Sequence, residues 1–259
     1  MQTLIAEDVS FRYSRSVPAL TTVSLRISQG DFLSLVGPNG SGKTTLLRLF
    51  DRILLPATGR ILLDHRSLNT YARREIARTI AFVPQDHGVL FPFTVEEIVL
   101  MGRMPRSAHR VFESSIDRAV AMDMMERADV AGLAATPVTA LSGGERQRVF
   151  VARALAQQPS VILLDEPNAH LDIAHQIGVF QLLRQLNVES GLTVVSVSHD
   201  LNLAASFSTS IAVLAEGRLK AAGPPAQVIT ESLIGSVFGT GVLVDRHPDN
   251  NTPRVTLRM

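Results

Sequence analysis

The stretch Gly37-Pro-Asn-Gly-Ser-Gly-Lys-Thr44 is what most constrains this chain, because it lies between an alternating apolar run, Asp31-Phe-Leu-Ser-Leu-Val36, and the helical apolar spacing of Lys43 to Arg52. A buried strand feeding a helix through a glycine-rich turn is the building unit of a parallel α/β sheet. Glycines in that turn let successive backbone N–H groups face inward around phosphate oxygens with no side chain in the way. The candidate phosphate-binding residues are therefore Gly37, Pro38, Asn39, Gly40, Ser41, Gly42, Lys43, Thr44 and the following Thr45. In such a loop the lysine reaches the β- and γ-phosphates, and the Thr44 hydroxyl is placed to ligate Mg²⁺.

Two further phrases suit the same substrate. Val161-Ile-Leu-Leu164 reads as a buried strand followed at once by Asp165 and Glu166, at the edge where open α/β sheets place their chemistry. There Asp165 would hold Mg²⁺, directly or through water, and Glu166 would orient and deprotonate an attacking water; the alternative is two carboxylates capping the next helix. A second apolar strand, Thr193-Val-Val-Ser-Val197, ends at Ser198-His199-Asp200, which puts His199 on that edge either as a γ-phosphate contact or as a structural histidine. Ser142-Gly-Gly-Glu145 is a capping box opening a helix to about Gln157. It is either a plain cap or an anion site, since Gly143 and Gly144 lower helix propensity and clear space over a positive helix end. With the phosphate loop cradling its own triphosphate, that second site would serve a nucleotide held by another copy.

Together, Gly37–Thr44, Leu141-Ser-Gly-Gly-Glu145 and Val161-Ile-Leu-Leu-Asp-Glu-Pro167 resemble the nucleotide-binding subunits of ABC transporters, over nearly the whole chain. The resemblance implies an α/β fold: a P-loop NTPase core with a mostly parallel sheet, an N-terminal antiparallel β subdomain and a helical subdomain carrying the signature motif. It makes Gly37–Thr44 the Walker A motif and Leu141–Glu145 the signature, with Ser142, Gly143 and Gly144 on the partner's ATP. Val161–Asp165 becomes Walker B, with Glu166 as the catalytic carboxylate. It also assigns Gln85 of Ala81-Phe-Val-Pro-Gln85 to sensing Mg²⁺ and the attacking water, His199 as the switch histidine, and Leu171-Asp172 as the D-loop pair. Tyr13 would stack on adenine, a contact worth about 1–3 kcal/mol where bases stack on aromatics elsewhere. ATP and Mg²⁺ are the implied cofactors, and ATP hydrolysis coupled to transmembrane translocation is the implied activity. Because each composite site needs residues from two copies, a head-to-tail homodimer is expected. The further implied partners are two copies of a polytopic permease and, indirectly, an extracytoplasmic substrate-binding protein, with this subunit peripheral on the cytoplasmic face of the inner membrane.

A narrower resemblance, to importers of ferric siderophores, haem and vitamin B12, rests on Glu97-Ile-Val-Leu-Met-Gly-Arg-Met-Pro105, Leu171-Asp-Ile-Ala-His-Gln176, Val237-Phe-Gly-Thr-Gly-Val242 and Thr252-Pro253. It implies an iron chelate as cargo, with haem or cobalamin as the alternative. Arg106 stands where that subgroup usually has His or Tyr, and Asn168 where it has Thr or Ser. A soluble ABC ATPase acting on DNA or the ribosome is the rival from another class; the long coiled coil or second cassette typical of those proteins is not found in this sequence.

At 259 residues, with 46% apolar and 19% charged residues, the chain suits one nucleotide-binding domain spanning 1–259. A net charge of +1 gives no argument for nucleic acid as a partner, and the lack of cysteine excludes disulfides and thiolate metal sites. The N-terminus has no basic stretch or apolar h-region, and no run of about 18 apolar residues occurs, so the chain is expected to be neither secreted nor membrane-spanning. Residues 2–30 read as β-rich with Tyr13 near a turn. Residues 31–85 read as the phosphate-loop half of a parallel sheet that includes Ile61-Leu-Leu63 and Ile80-Ala-Phe-Val83. About 86–158 reads as a helical insertion with helices at 94–103, 113–127 and 143–157, and 160–223 returns to strand–helix alternation before a short helical and polar tail, 224–259. The apolar Gln85–Phe93 segment suits either subdomain core or a groove for a membrane subunit's helix. Arg103, Arg106, His109 and Arg110 read as a solvated loop in preference to a docking patch. The spacing of His170, Asp172 and His175 fits no common metal site.

Overall fold

Buried and exposed side chains alternate along Pro18–Ser28 (β2), which pairs antiparallel with Thr3–Arg12 (β1) from Thr3↔Ser28 to Arg12↔Pro18. The computed structural model describes residues 3–14, 17–85, 91–106, 114–168 and 172–258. Its chain forms two units, Met1–Tyr71 with Thr193–Met259, and Ala72–Leu192.

In the first unit, the fully buried Phe32–Val36 (β3) leads through the glycine-rich loop into Lys43–Phe50 (α1), whose inner face is Leu46, Leu47, Leu49 and Phe50. Thr58–Leu63 (β4) then lies antiparallel to β1, with Leu4 opposite Leu63, and Arg66–Ser67 (β5) pairs with β4. This corrects the placement of Ile61-Leu-Leu63 in the parallel sheet. Both ends of β4 are pinned to the first strand: the Ala57 N–H donates to Ser10 O (2.8 Å), and the Asp64 N–H to Thr3 O (3.0 Å). An apolar triplet announces burial but not which strand it will join.

The second unit begins with Arg73–Thr79 (α2) and Ile80–Val83 (β6). Its helices Val95–Met101 (α3), Ser115–Arg127 (α4) and Gly143–Ala156 (α5) form where the 3.6-residue pattern places them. Each opens on a capping box, Thr94/Glu97, Ser114/Asp117 and Ser142/Glu145, which satisfies two orphan N–H groups reciprocally. Val161–Leu164 (β7) is buried throughout and pairs parallel with β6 from Ile80↔Val161 to Val83↔Leu164. Ile173–Ser190 (α6) follows.

Arg103 does not lie in a solvated loop, and Arg106, though exposed, is tied to backbone carbonyls. Arg103 is buried, its Nε donating to Asp117 Oδ1 (2.9 Å) and its Nη1 to Ala156 O (2.6 Å) and Gln158 Oε1 (3.0 Å). Arg106 donates to Gln157 O (2.7 Å) and Gln158 O (2.6 Å). Both guanidiniums thus meet the electronegative carbonyl end of α5, and the Gln157 amide further ties that end to Ile80 O at 2.7 Å. The Ser114 hydroxyl and then the Arg103 guanidinium hold the Asp117 carboxyl below its usual range. Arg103→Ala leaves that carboxylate without its cation, and the expected loss of stability is about 3 kcal/mol, read by denaturant unfolding. His109 and Arg110 lie outside the described residues.

The chain returns to the first unit with Thr193–Val197 (β8), Leu201–Phe207 (α7), Ser210–Ala215 (β9) and Arg218–Gly223 (β10). β3 runs parallel to both β8 and β9, with Leu35 opposite Val197 on one side and Ala212 on the other, and β10 is antiparallel to β9. Pro225–Val228 (α8) and Glu231–Phe238 (α9) add Val228 and Ile234 to the core around Val36, Ile211 and Val213. Val242–Arg246 (β11) and Pro253–Leu257 (β12) close the chain as a hairpin that the sequence reading of a helical and polar tail did not anticipate. Asn202 fastens it to α7, exchanging hydrogen bonds with the Val255 backbone at 3.1 and 2.7 Å. The result is a mixed α/β fold with a parallel-rich sheet and an antiparallel β subdomain. Among the described residues no helix is long and apolar enough to cross a membrane.

Candidate nucleotide site

The phosphate loop takes a shape only its glycines permit. Gly37 has φ +147°, and a Cβ there would overlap the Leu214 carbonyl oxygen; Gly42, at φ +102°, would press a Cβ to 2.5 Å from Leu20 Cδ2. The first brings the loop close over β9, and the second starts α1 with no side-chain cap. Lys43 is 5% exposed and donates to Gly37 O (2.8 Å) and Pro38 O (2.9 Å). Ser41 Oγ is buried with no hydrogen-bond partner among the described residues. A buried ammonium and an orphan hydroxyl at the positive end of a helix form a donor set suited to phosphate oxygens. A cavity of about 480 Å³ opens beside the loop, lined by Pro38, Asn39, Gly40 and Ser41 together with Glu216, Lys220 and α9.

Tyr13 stands near this loop. Its hydroxyl lies 3.1 Å from Thr45 Oγ1 and its ring packs edge-on against Phe11 at 5.0 Å, while 61% of the residue stays exposed, enough for a planar ligand to stack. His199 is exposed just beyond β8, and the Ser198 N–H donates to Leu35 O (3.1 Å), carrying the β3–β8 ladder to its end. Since those strands are parallel, the phosphate loop and His199 leave the first unit's sheet at the same edge.

In the second unit the parallel pairing of β6 and β7 sets Gln85 beside the paired carboxylates. Gln85 Nε2 donates to Glu166 Oε2 at 2.7 Å. Glu166 itself has φ +52°, a left-handed conformation uncommon outside glycine. Asp165 is 2% exposed, and its N–H donates to Val83 O (2.9 Å). Its buried carboxylate offers the hard oxygen that Mg²⁺ prefers, and in the first unit the part-buried Thr44 hydroxyl offers an oxygen of the same kind.

At the tip of α5, Ser142 Oγ accepts from the Glu145 N–H (3.3 Å) and donates to Glu145 Oε2 (2.7 Å), while the Ser142 N–H donates to the same carboxylate oxygen (2.9 Å). The Ser142 hydroxyl, then its N–H, holds the Glu145 carboxyl below its usual range. Ser142 and Gly143 are exposed, but Gly144 is buried beneath the His175 ring. Asp172 caps α6, accepting the His175 N–H at 2.9 Å and facing His175 Nδ1 at 2.6 Å. Those contacts, the backbone one first, depress the Asp172 carboxyl, and they explain the Asp172/His175 spacing. His170 and Leu171 lie outside the described residues, as do residues 86–90 of the apolar segment, of which Phe91 and Phe93 are exposed. The Tyr13–Thr45 bond and the His175–Gly144 contact were not read from the sequence. The only signal for the second was the three-residue spacing of Asp172 and His175.

The family model described as ABC transporter matches residues 20–169. The hemin import ATP-binding protein of Rhodococcus jostii (strain RHA1) is 45% identical over 89% of this chain and 78% of its own length. The ferric enterobactin transport ATP-binding protein of Escherichia coli (strain K12) is 36% identical over 97% of this chain and 93% of its own. The cobalamin import ATP-binding protein of Halobacterium salinarum (strain ATCC 29341 / DSM 671 / R1) is 42% identical over 92% of this chain, which spans only 59% of that relative's length. Among solved structures, an inward-facing metal-chelate type ABC transporter chain superposes with a TM-score of 0.86 at 29% identity, covering 100% of this chain and 98% of that one. A dimeric bacterial ABC transporter cassette superposes with a TM-score of 0.76 at 32% identity, over 85% of this chain and 98% of its own. Motif, fold and relatives agree, and the chain belongs to the ABC transporter family.

Proposed function

We propose that this chain is a single nucleotide-binding domain that hydrolyses ATP to power import of an iron chelate, a ferric siderophore, through a separate membrane permease. The observation that carries the hydrolytic part is the Gln85–Glu166 hydrogen bond of 2.7 Å, an amide aiming a carboxylate from the strand edge. Glu166 takes the proton of the attacking water while Gln85 orients both. Lys43 and the loop amides of Gly37–Thr44, with Thr45, bind the phosphates, Tyr13 stacks on adenine, and His199 contacts the γ-phosphate. Thr44, Gln85 and Asp165 would hold Mg²⁺, which when bound would supply charge neutralisation at the triphosphate.

The exposed Ser142 and Gly143, with Gly144 behind them, contact ATP bound to a second copy, so that the working unit is a two-fold homodimer. That dimer works with two permease copies on the cytoplasmic face of the inner membrane and, through them, with an extracytoplasmic binding protein. Support for the cargo class comes from the names of the relatives, which span hemin, ferric enterobactin and cobalamin: all bulky metal-containing compounds. Haem or cobalamin is the alternative cargo. The test is affinity purification from membranes followed by reconstitution. A polytopic permease should co-purify, and ATP should drive uptake of a ferric siderophore into proteoliposomes in preference to haem or cobalamin. Recovery of a soluble complex without any membrane protein would overturn the importer reading, and preferential uptake of haem or cobalamin would overturn the cargo.

A further inference from the structure

The two glycines at the tip of α5 sit in different surroundings. Gly143 is exposed, whereas Gly144 is buried, and a Cβ built on it would stand 3.0 Å from Cγ, 3.2 Å from Cδ2 and 3.3 Å from Nδ1 of His175. The space above Gly144 is therefore taken by an imidazole from this same chain. That ring is held in place, because Asp172 Oδ1 accepts the His175 N–H at 2.9 Å and lies 2.6 Å from its Nδ1. Only 33% of the His175 side chain is exposed. The capping box of Ser142 and Glu145 orders the first turn of α5 from within; the His175 ring is what fixes that turn against α6.

We propose that His175 is a positioning residue that seats the tip of α5 on the start of α6, and that Gly144 is a glycine in order to receive its ring. Gly144 meets that ring at its α-carbon, while its N–H stays with Ser142 and Gly143 for the second copy's ATP. The inference rests on the dimer reading above and deepens it: the N–H groups offered to a second copy's ATP are aimed by a side chain that itself touches no nucleotide. Small displacements matter there, since misplacing a binding group by an ångström costs as much as two orders of magnitude.

The test is a double-mutant cycle in a Glu166→Gln background, with Gly144→Ala, His175→Ala and both together. Each is read as the protein concentration at half-dimerisation in Mg-ATP and as the thermal unfolding midpoint. Each single change is expected to weaken dimerisation about five- to tenfold, and the pair to be no weaker than His175→Ala alone, because the added methyl then has nothing to strike. If the losses multiply in the pair, the proposal is overturned, since Gly144 would then be small for the nucleotide's sake. His175→Asn keeps a donor near the Nδ1 position and is expected to recover part of what His175→Ala loses; equal losses would overturn the part given to Asp172. His175→Ala is expected to move the unfolding midpoint by no more than about 2 °C, the effect of a fraction of a kcal/mol. Unfolding midpoints that fall in step with dimerisation would reduce the contact to ordinary stability. A parent that stays monomeric in Mg-ATP overturns the dimer reading and the functional half of the inference with it, whereas a dimerising parent with multiplicative losses overturns the seat alone.

Discussion

Glu166→Gln is expected to lower ATP turnover by a factor of about 10²–10⁴, the range for loss of a general base, and to accumulate as an ATP-bound dimer. The amide is nearly isosteric and can still accept from Gln85 Nε2, which now lies 2.7 Å from Glu166 Oε2, but it cannot take a proton from water. The left-handed backbone at φ +52° is no harder for Gln than for Glu, so the fold is left as it was. Phosphate release and size-exclusion chromatography in Mg-ATP measure the two halves of the expectation. Turnover near the wild-type rate would transfer the base to another group.

Ser142→Arg is expected to weaken ATP-dependent dimerisation by about 100-fold, the scale of a truncated or blocked hot spot, while a monomer still binds ATP through its own phosphate loop. Ser142 is exposed at the tip of α5, so the long guanidinium chain occupies the surface offered to the second copy. The substitution also removes the hydroxyl that accepts the Glu145 N–H, a cap loss of about 1 kcal/mol, which the remaining contacts of the helix absorb. Fluorescent nucleotide titration and light scattering separate the two effects. If monomer binding is lost instead, the signature serves its own subunit's nucleotide.

Much of the fold and the candidate site could be read from local pattern. The helices near 94, 114 and 142 were legible from their helical apolar spacing, the last also from its Ser142/Glu145 capping box, and the strands around the phosphate loop because they are apolar and end abruptly. What escaped was pairing at a distance. Ile61-Leu-Leu63 reads as buried, yet nothing in the triplet says that its partner is Leu4-Ile-Ala6 and that the strands run antiparallel. Arg103 and Arg106 look like an exposed basic run because their acceptors, Ala156, Gln157 and Gln158, lie about fifty residues away. The β11–β12 hairpin escaped as well, although His247-Pro-Asp-Asn-Asn-Thr252 has the composition of a turn; its strands are short and only the first residue of each is buried, so their alternation is weak.

The guanidiniums at the far end of α5 make that helix a rod held at both ends. Its carboxyl end is clamped by Arg103, Arg106 and the Gln157 amide, and its first turn lies under the His175 ring of α6. A shift at one end is passed along the rod, so natural variation at Arg103 or Arg106 would register in how Ser142 and Gly143 are presented, a full helix length away.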